Sequence, residues 1–301
     1  MKSLLILGAS GFIGKSFIDY FLNNKDNKFG ISNLILVARK KAPILIKNKK
    51  KIRYLKKDLL KINKLPESEY ILYCINSKSM NDEVKCFKYF DSLLKKNHKK
   101  PKIIFTSSGA VYGPNNKKNK ATEKFESGDN FYEYSNYKKK YAEQKKELEK
   151  KFKKLSTQGY TVCIARLFTF SGIHIDKNEA LPNLILQGLI SENIHVKSKI
   201  KVYRSYMSDV NLIKTLLNLF QKIKDDFLVL NLGSDKIISL ENLANIIAKI
   251  TNKNLVKNYY ISKKIDFYVP SIKIAKKIIK TEHNKNNIMR DIKLMIAHFK
   301  K

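Results

Sequence analysis

Nowhere in the 301 residues does an apolar run approach the roughly 20 residues that a membrane-crossing helix needs. Cysteine is scarce too: Cys74, Cys86 and Cys163 are scattered, and two of them fall in apolar runs. Such a set excludes a disulfide framework and suits a reduced, cytoplasmic compartment. No Cys/His spacing resembles a metal site, so no metal is expected. Arginine is limited to Arg39, Arg53, Arg166, Arg204 and Arg290 among 61 basic residues. Where lysine is so abundant, an arginine hints at a need for its planar fork. Acidic residues number 26, which leaves a formal charge of +35. That charge invites a nucleic-acid reading, but lysine runs through every segment, in tracts such as 47–51 and 117–120, without a localised patch. A composition-wide bias accounts for it. Specific nucleic-acid binding is therefore not expected, whereas non-specific binding to polyanions at low salt is.

What the chain does have starts at its N-terminus. Leu4-Leu5-Ile6-Leu7 is a short apolar run bounded by glycine, which predicts a buried strand. Gly8-Ala9-Ser10-Gly11-Phe12-Ile13-Gly14 follows, and then apolar residues at helical spacing: Phe17, Ile18, Phe21 and Leu22. A buried strand that turns through glycines into a helix opens a dinucleotide-binding unit. Gly8 permits a tight turn, Gly11 lets backbone approach a pyrophosphate at the helix N-terminus, and Gly14 lets helix pack on strand. The spacing, G-x-x-G-x-x-G, is one residue wider than the dehydrogenase form. A secretory leader would need a longer apolar run and a cleavage-like break.

Further strands are expected at 34–38, 51–55, 70–75, 102–106 and 162–167, with helical stretches at 16–22, 81–96 and 132–155. Alternating strands and helices argue for an α/β fold with a doubly wound, Rossmann-like parallel sheet over residues 1–170, to which 205–235 contribute. Residues 171–301 read as a smaller, mixed substrate lobe. It has helices at 181–190, 209–222 and 239–250, strands at 194–203 and 227–232, and two short helices at its end. The polar stretch Pro114 to Asp129 reads as a mobile rim over the site.

Candidate chemistry lies at the strand ends. The second strand ends Val37-Ala38-Arg39-Lys40, with no acidic residue to bind ribose hydroxyls. Arg39 would suit the 2′-phosphate of NADP, which tilts the cofactor from NAD towards NADP. Asp58-Leu59 follows the third strand; its carboxylate either accepts from an adenine amino group or caps a helix. The fifth strand runs into Thr106-Ser107-Ser108-Gly109-Ala110-Val111-Tyr112-Gly113, a hydroxyl cluster where this architecture places ligands. Tyr134-Ser135-Asn136-Tyr137-Lys138 comes next, amid Tyr132, Tyr141 and many lysines. A spacing of four sets Tyr134 and Lys138 on one helix face, where the ammonium and an oxidised nicotinamide would lower the phenol pKa for proton exchange with a substrate oxygen.

Together these motifs resemble the extended short-chain dehydrogenase/reductases, in particular the nucleotide-sugar (NAD-dependent) epimerase/dehydratase family. G-A-S-G-F-I-G resembles its cofactor loop and Asp58-Leu59 its adenine contact. T-S-S-G-A-V-Y-G resembles its catalytic serine segment, which places the hydroxyl on Ser108. Y-S-N-Y-K resembles its Tyr/Lys pair, here Tyr134 and Lys138, the lysine also holding the nicotinamide ribose. Ala165-Arg166-Leu167-Phe168 resembles the strand carrying R-x-F-N, whose Asn, a substrate contact, is Thr169 here. The run from Arg204 to Val210 resembles R-x-Y-x-x-x-D-V, whose Arg grips a sugar-nucleotide diphosphate. Asn231-Leu232-Gly233-Ser234 and Tyr268-Val269-Pro270 resemble its C-terminal signatures.

The resemblance implies a homodimer joined by the helices at 81–96 and 132–155, and a nucleotide-sugar substrate. Relatives that eliminate water carry Asp-Glu just before Val-Tyr-Gly; Gly109 and Ala110 stand there instead, which leaves epimerisation or keto-sugar reduction. An NADP-dependent reductase of a non-sugar carbonyl and a non-catalytic NADP-binding regulator are the alternatives.

Overall fold

The computed structural model describes residues 2–24, 29–40, 51–77, 79–124, 134–256, 260, 263–279 and 287–300. The chain divides into two compact units. Unit 1 comprises 1–111, 135–166 and 213–230; unit 2 comprises 112–134, 167–212 and 231–301. The division is more interleaved than a cut near residue 170, because the chain leaves unit 1 directly after the fifth strand.

Unit 1 is built on β1 Lys2–Leu7, β2 Ile31–Ala38, β3 Ile52–Lys56, β4 Tyr70–Tyr73, β5 Lys102–Ser108 and β6 Val162–Leu167. With Phe227–Leu232 they form one seven-stranded sheet, whose order from that last strand is β6, β5, β4, β1, β2, β3. The pairings β1–β2, β1–β4, β2–β3 and β4–β5 are parallel. Chain order reverses beside β1, so the C-terminal ends of β1 and β4 flank the position where open sheets of this kind bind ligands. Strands buried on both faces read as continuous apolar runs, as in β1, where Leu4 to Leu7 are all 0% exposed.

Three helices complete the part of unit 1 that matters here: α1 Phe12–Asn23, α2 Met80–Leu94 and α3 Asn136–Ser156. One face of the sheet meets α2 and α3 through an aromatic cluster in which Phe105 of β5 stacks on Phe152 of α3 at 4.4 Å.

Unit 2 holds the short strands β7 Thr169–Ser171, β8 Asn193–His195, β9 Lys201–Arg204 and β10 Tyr206–Ser208. Its helix α4 is Ala180–Ile190, and α5, Asp209–Lys222, starts in unit 2 and returns the chain to unit 1. The strand Phe227–Leu232 is β11; β12 Ile238–Ser239, α6 Leu240–Thr251, β13 Asn254–Val256, β14 Ile265–Tyr268, α7 Lys273–Ile278 and α8 Ile288–Phe299 follow. The core of unit 2 is aliphatic, formed where α4, α6 and α8 meet.

Two expectations change here. The strand over 194–203 is broken into β8 and β9, because Ser198 accepts from Ile200 N and donates to Ile200 O, closing a local turn. The described part of the segment after Pro114 is pinned and not a loose rim. Ala121 N donates to Val269 O, Ser271 N donates to Ala121 O at 2.7 Å, and Asn231 N donates to Glu123. Residues 125–129 of that stretch lie outside the described residues.

Candidate active site

The turn after β1 has glycine for two physical reasons. Gly8 adopts φ +89°, and a Cβ there would lie 2.8 Å from the Cys74 carbonyl beyond β4. At Gly14 a Cβ would sit 2.2 Å from the Ala9 carbonyl oxygen, so α1 could not approach the turn. Gly11 differs: its Cβ would meet only Gly8 O, at 3.7 Å, so no packing of the chain demands it.

Gly11 is the N-cap of α1. No side chain caps this helix, and its first turn carries no acidic residue. By contrast Ser79, Ser135, Ser239 and Asn287 cap α2, α3, α6 and α8. An uncapped N-terminus concentrates amide donors and the positive end of the helix dipole, with half-buried Ser10, Phe12 and Ile13 beside it. This cradle fits the pyrophosphate of a dinucleotide.

Past the C-terminal end of β2, Arg39 and Lys40 are exposed. Asp58 Oδ1 accepts from Leu60 N at 3.0 Å and caps the short turn Leu59–Lys61, while Leu59 is a buried core residue. Of the two roles open to Asp58, capping is therefore occupied. Burial raises the Cys86 thiol; Ser77 bonding opposes this, Glu83 and Asp58 add to it and Arg39 opposes it, so Asp58 and Arg39 both lie within electrostatic reach of one thiol.

β5 delivers its two serines to different tasks. Ser107 Oγ donates to Glu149 of α3, and Arg166 of β6 grips the same carboxylate with Nε at 2.9 Å and Nη2 at 2.7 Å. Arg166 and Glu149 are each about nine-tenths buried, so this fork locks α3 against β5 and β6. Ser108 is 7% exposed, and its oxygen accepts from Ala110 N at 3.2 Å.

The shared helix face expected for Tyr134 and Lys138 does not form. Ser135 takes the extended backbone of an N-cap and accepts from Lys138 N, so α3 begins at Asn136 and Tyr134 precedes it. Without a bound dinucleotide the surroundings of the Tyr134 phenol act the other way from the expected lowering of its pKa. Burial raises it, the Asp266 carboxylate raises it further, and only Arg204 opposes them.

Sequence reasoning passed over a second pair with the same spacing. Tyr141 and Lys145 both lie inside α3. Tyr141 is half-buried and Lys145 is 3% exposed; its Nζ lies 5.6 Å from the centroid of the Tyr141 ring and 5.3 Å from that of Phe105 on β5. Glu149, four residues on, is the clamped carboxylate. The signal was present in the stripe Tyr141, Lys145, Leu148, Phe152, Leu155, where a lysine takes a core position.

Within electrostatic reach of Lys145 is Glu83 of α2, 0% exposed, whose Oε1 accepts from Ser77 N at 2.6 Å. Burial raises its carboxyl pKa, and Lys145 pulls it back. Cys74 is pushed up to about 12 by burial, so it is a neutral thiol here and no nucleophile.

Unit 2 holds the other expected residues. Arg204 Nη2 binds Asp266 Oδ2 at 2.6 Å, Nη1 donates to Tyr203 O, and the guanidinium lies 5.7 Å from the centroid of the Tyr268 ring. The fork expected on a diphosphate is thus engaged by Asp266, which β14 presents alongside β9. Thr169 Oγ1 donates to Ser205 O, joining β7 to the chain just before β10. Among the described residues no cluster of His, Cys, Asp or Glu could hold a metal, and no helix is long and apolar enough to cross a membrane.

The family model described as "NAD dependent epimerase/dehydratase family" matches residues 4–233. No curated protein matches the sequence. Among solved structures, dTDP-glucose 4,6-dehydratase from Bacillus anthracis, in complex with NAD, superposes with TM-score 0.81 at 15% identity, over 100% of this chain and 97% of that one. UDP-glucose 4-epimerase from Thermotoga maritima, with UDP-glucose, gives 0.78 at 18% identity over 99% and 98%. The protein RMD from Pseudomonas aeruginosa, complexed with NADPH, gives 0.74 at 17% identity over 99% and 98%. At these identities the likeness establishes the fold.

Proposed function

Because the chain belongs to the NAD dependent epimerase/dehydratase family, we propose that it acts on a nucleotide-activated sugar as an epimerase or a keto-sugar reductase. One observation carries this reading: a tyrosine and a buried lysine lie one helical turn apart on α3, the lysine over Phe105 of the serine-bearing strand β5, in the same unit as the uncapped glycine turn. The dinucleotide, when bound, supplies or takes up a hydride at the sugar carbon.

The chain's own residues do the rest. The N-terminus of α1, with Gly8, Ser10, Gly11, Phe12, Ile13 and Gly14, holds the pyrophosphate. Tyr141 is the acid/base that moves the proton at the reacting sugar oxygen, in place of Tyr134. Lys145 holds the nicotinamide ribose and favours the phenolate by its charge, in place of Lys138. Ser108 orients the reacting oxygen. Arg204 holds a substrate phosphate by exchanging its partner Asp266 for it, and Thr169 stands where the family has an Asn contact. Gly109 and Ala110, both buried, supply neither acid nor base, which argues against elimination of water.

Exposed Arg39 supports NADP and hence a reductase, which consumes reduced cofactor; an epimerase returns the hydride and keeps its cofactor bound. A homodimer through α2 and α3 belongs to the same reading, and light scattering of the purified protein checks it.

The test is a panel of nucleotide-sugars given to purified protein, with reduced-nicotinamide absorbance and sugar products followed together. Tightly bound NAD after purification points to the epimerase; steady consumption of NADPH points to the reductase. Retention of wild-type turnover by Tyr141→Phe would refute the acid/base assignment.

A further inference from the structure

We infer that the Glu83 carboxylate is the counter-ion of the Lys145 ammonium and a positioning residue for the Tyr141–Lys145 pair. The inference rests on the role proposed above for that pair.

Glu83 is hard to explain as a helix-start residue. Ser79 already caps α2, and exposed Asp82 already offers a carboxylate to the first turn while accepting from Ser79 Oγ at 2.7 Å. Glu83 instead turns inward and is 0% exposed. Burying a carboxylate is costly unless a cation and hydrogen bonds compensate. Ser77 N–H serves one oxygen; the other, Oε2, is buried with no hydrogen-bond partner.

Lys145 has the complementary need. Its side chain is buried, and its Nζ lies over two aromatic rings with no carboxylate within 4 Å among the described residues. It is also the cation that acts on Glu83. An orphan acceptor and an ammonium lacking a carboxylate partner therefore share one interior.

The titratable groups that act electrostatically on or with Glu83 are Lys145 from α3, Tyr73 from β4, and Asp82 and Cys86 from α2 itself. Lys145 lies over the Tyr141 and Phe105 rings and acts electrostatically on Glu83 and Cys74. Glu83 has a second handle on the site. The segment 74–77 whose Ser77 it holds is the one that closes over Gly8. One side chain thus supports the glycine turn by a hydrogen bond and the tyrosine–lysine pair by its charge.

Glu83→Gln keeps the shape and removes the charge. With the anion gone, both the Tyr141 phenol and the Lys145 ammonium lose their protons more readily. Both limbs of the pH–rate profile should move to lower pH, by roughly half a unit to one unit. The midpoint of the pH dependence of NADH affinity, read by NADH fluorescence without turnover, should move the same way. Thermal unfolding of the same samples separates loss of fold from loss of charge.

Unmoved limbs and an unmoved affinity midpoint in folded Glu83→Gln would overturn the inference. So would activity that falls only in step with the folded fraction. If the glutamine variant does not fold, Glu83→Asp carries the test, since the shorter arm draws the charge away from Lys145. Its limbs should move in the same direction by less, and no movement overturns the inference. A wild-type profile in Tyr141→Phe ends the underlying reading; an inactive Tyr141→Phe beside an unmoved Glu83→Gln ends only the role of Glu83.

Discussion

The start of α3 and its middle carry the same two residue types at the same interval, in very different surroundings. Tyr134 stands before the helix, half-buried and within electrostatic reach of Asp266 and Arg204, and Lys138 is half-buried in the first turn. Tyr141 and Lys145 stand two turns inside, on the stripe that packs against β5, with Glu149 clamped one turn further on. A four-residue interval is chemistry only where the helix exists and where its face meets the sheet. What separates the two pairs is a serine: Ser135 satisfies the amide of Lys138 and fixes where the helix begins.

The largest expected effect breaks or confirms this contrast directly. Tyr141→Phe should lower kcat by about 10²- to 10⁴-fold, the usual worth of a positioned acid/base, while Tyr134→Phe should change it only severalfold. Steady-state rates of both variants on the same substrate measure this, and the reverse order would restore Tyr134.

Next comes the anchor of the middle region. Glu149→Gln leaves Arg166 buried without its counter-charge, and should destabilise the fold by about 3–5 kcal/mol in urea unfolding. An effect within error would mean that the clamp does not hold α3.

Lys145→Met should weaken NADH binding about tenfold, because a ribose contact to a charged group is lost, whereas Lys138→Met should leave it within about twofold. Fluorescence titration distinguishes them. The smallest effect concerns the helix start itself: Ser135→Ala removes the cap and should cost about 1 kcal/mol of stability with little change in turnover. A large loss of activity there would mean that the first turn matters more than its middle.

Much of the sheet was legible from runs of apolar residues. The strands at 162–167 and 227–232 match the expected limits, because mostly apolar runs mark them even where Arg166 or Asn231 intervenes. The glycine turn was legible for a different reason: only glycine fits at Gly8 and Gly14, so steric exclusion writes itself into the residue type. The break at Ser198 was hidden, since a polar turn inside a strand-like alternation of lysines carries no apolar gap to mark it. The engagement of Arg204 by Asp266 was hidden as well, because the two are 62 residues apart and meet only through the β9–β14 pairing.

The amino-acid order alone determined that a parallel α/β unit starts on a glycine turn, because local sterics and periodic burial need no knowledge of distant residues. Which tyrosine and which lysine share a face with β5 was decided by tertiary structure. That choice depends on where α3 begins and on how Arg166 and Ser107 hold it through Glu149, contacts between segments far apart in the chain.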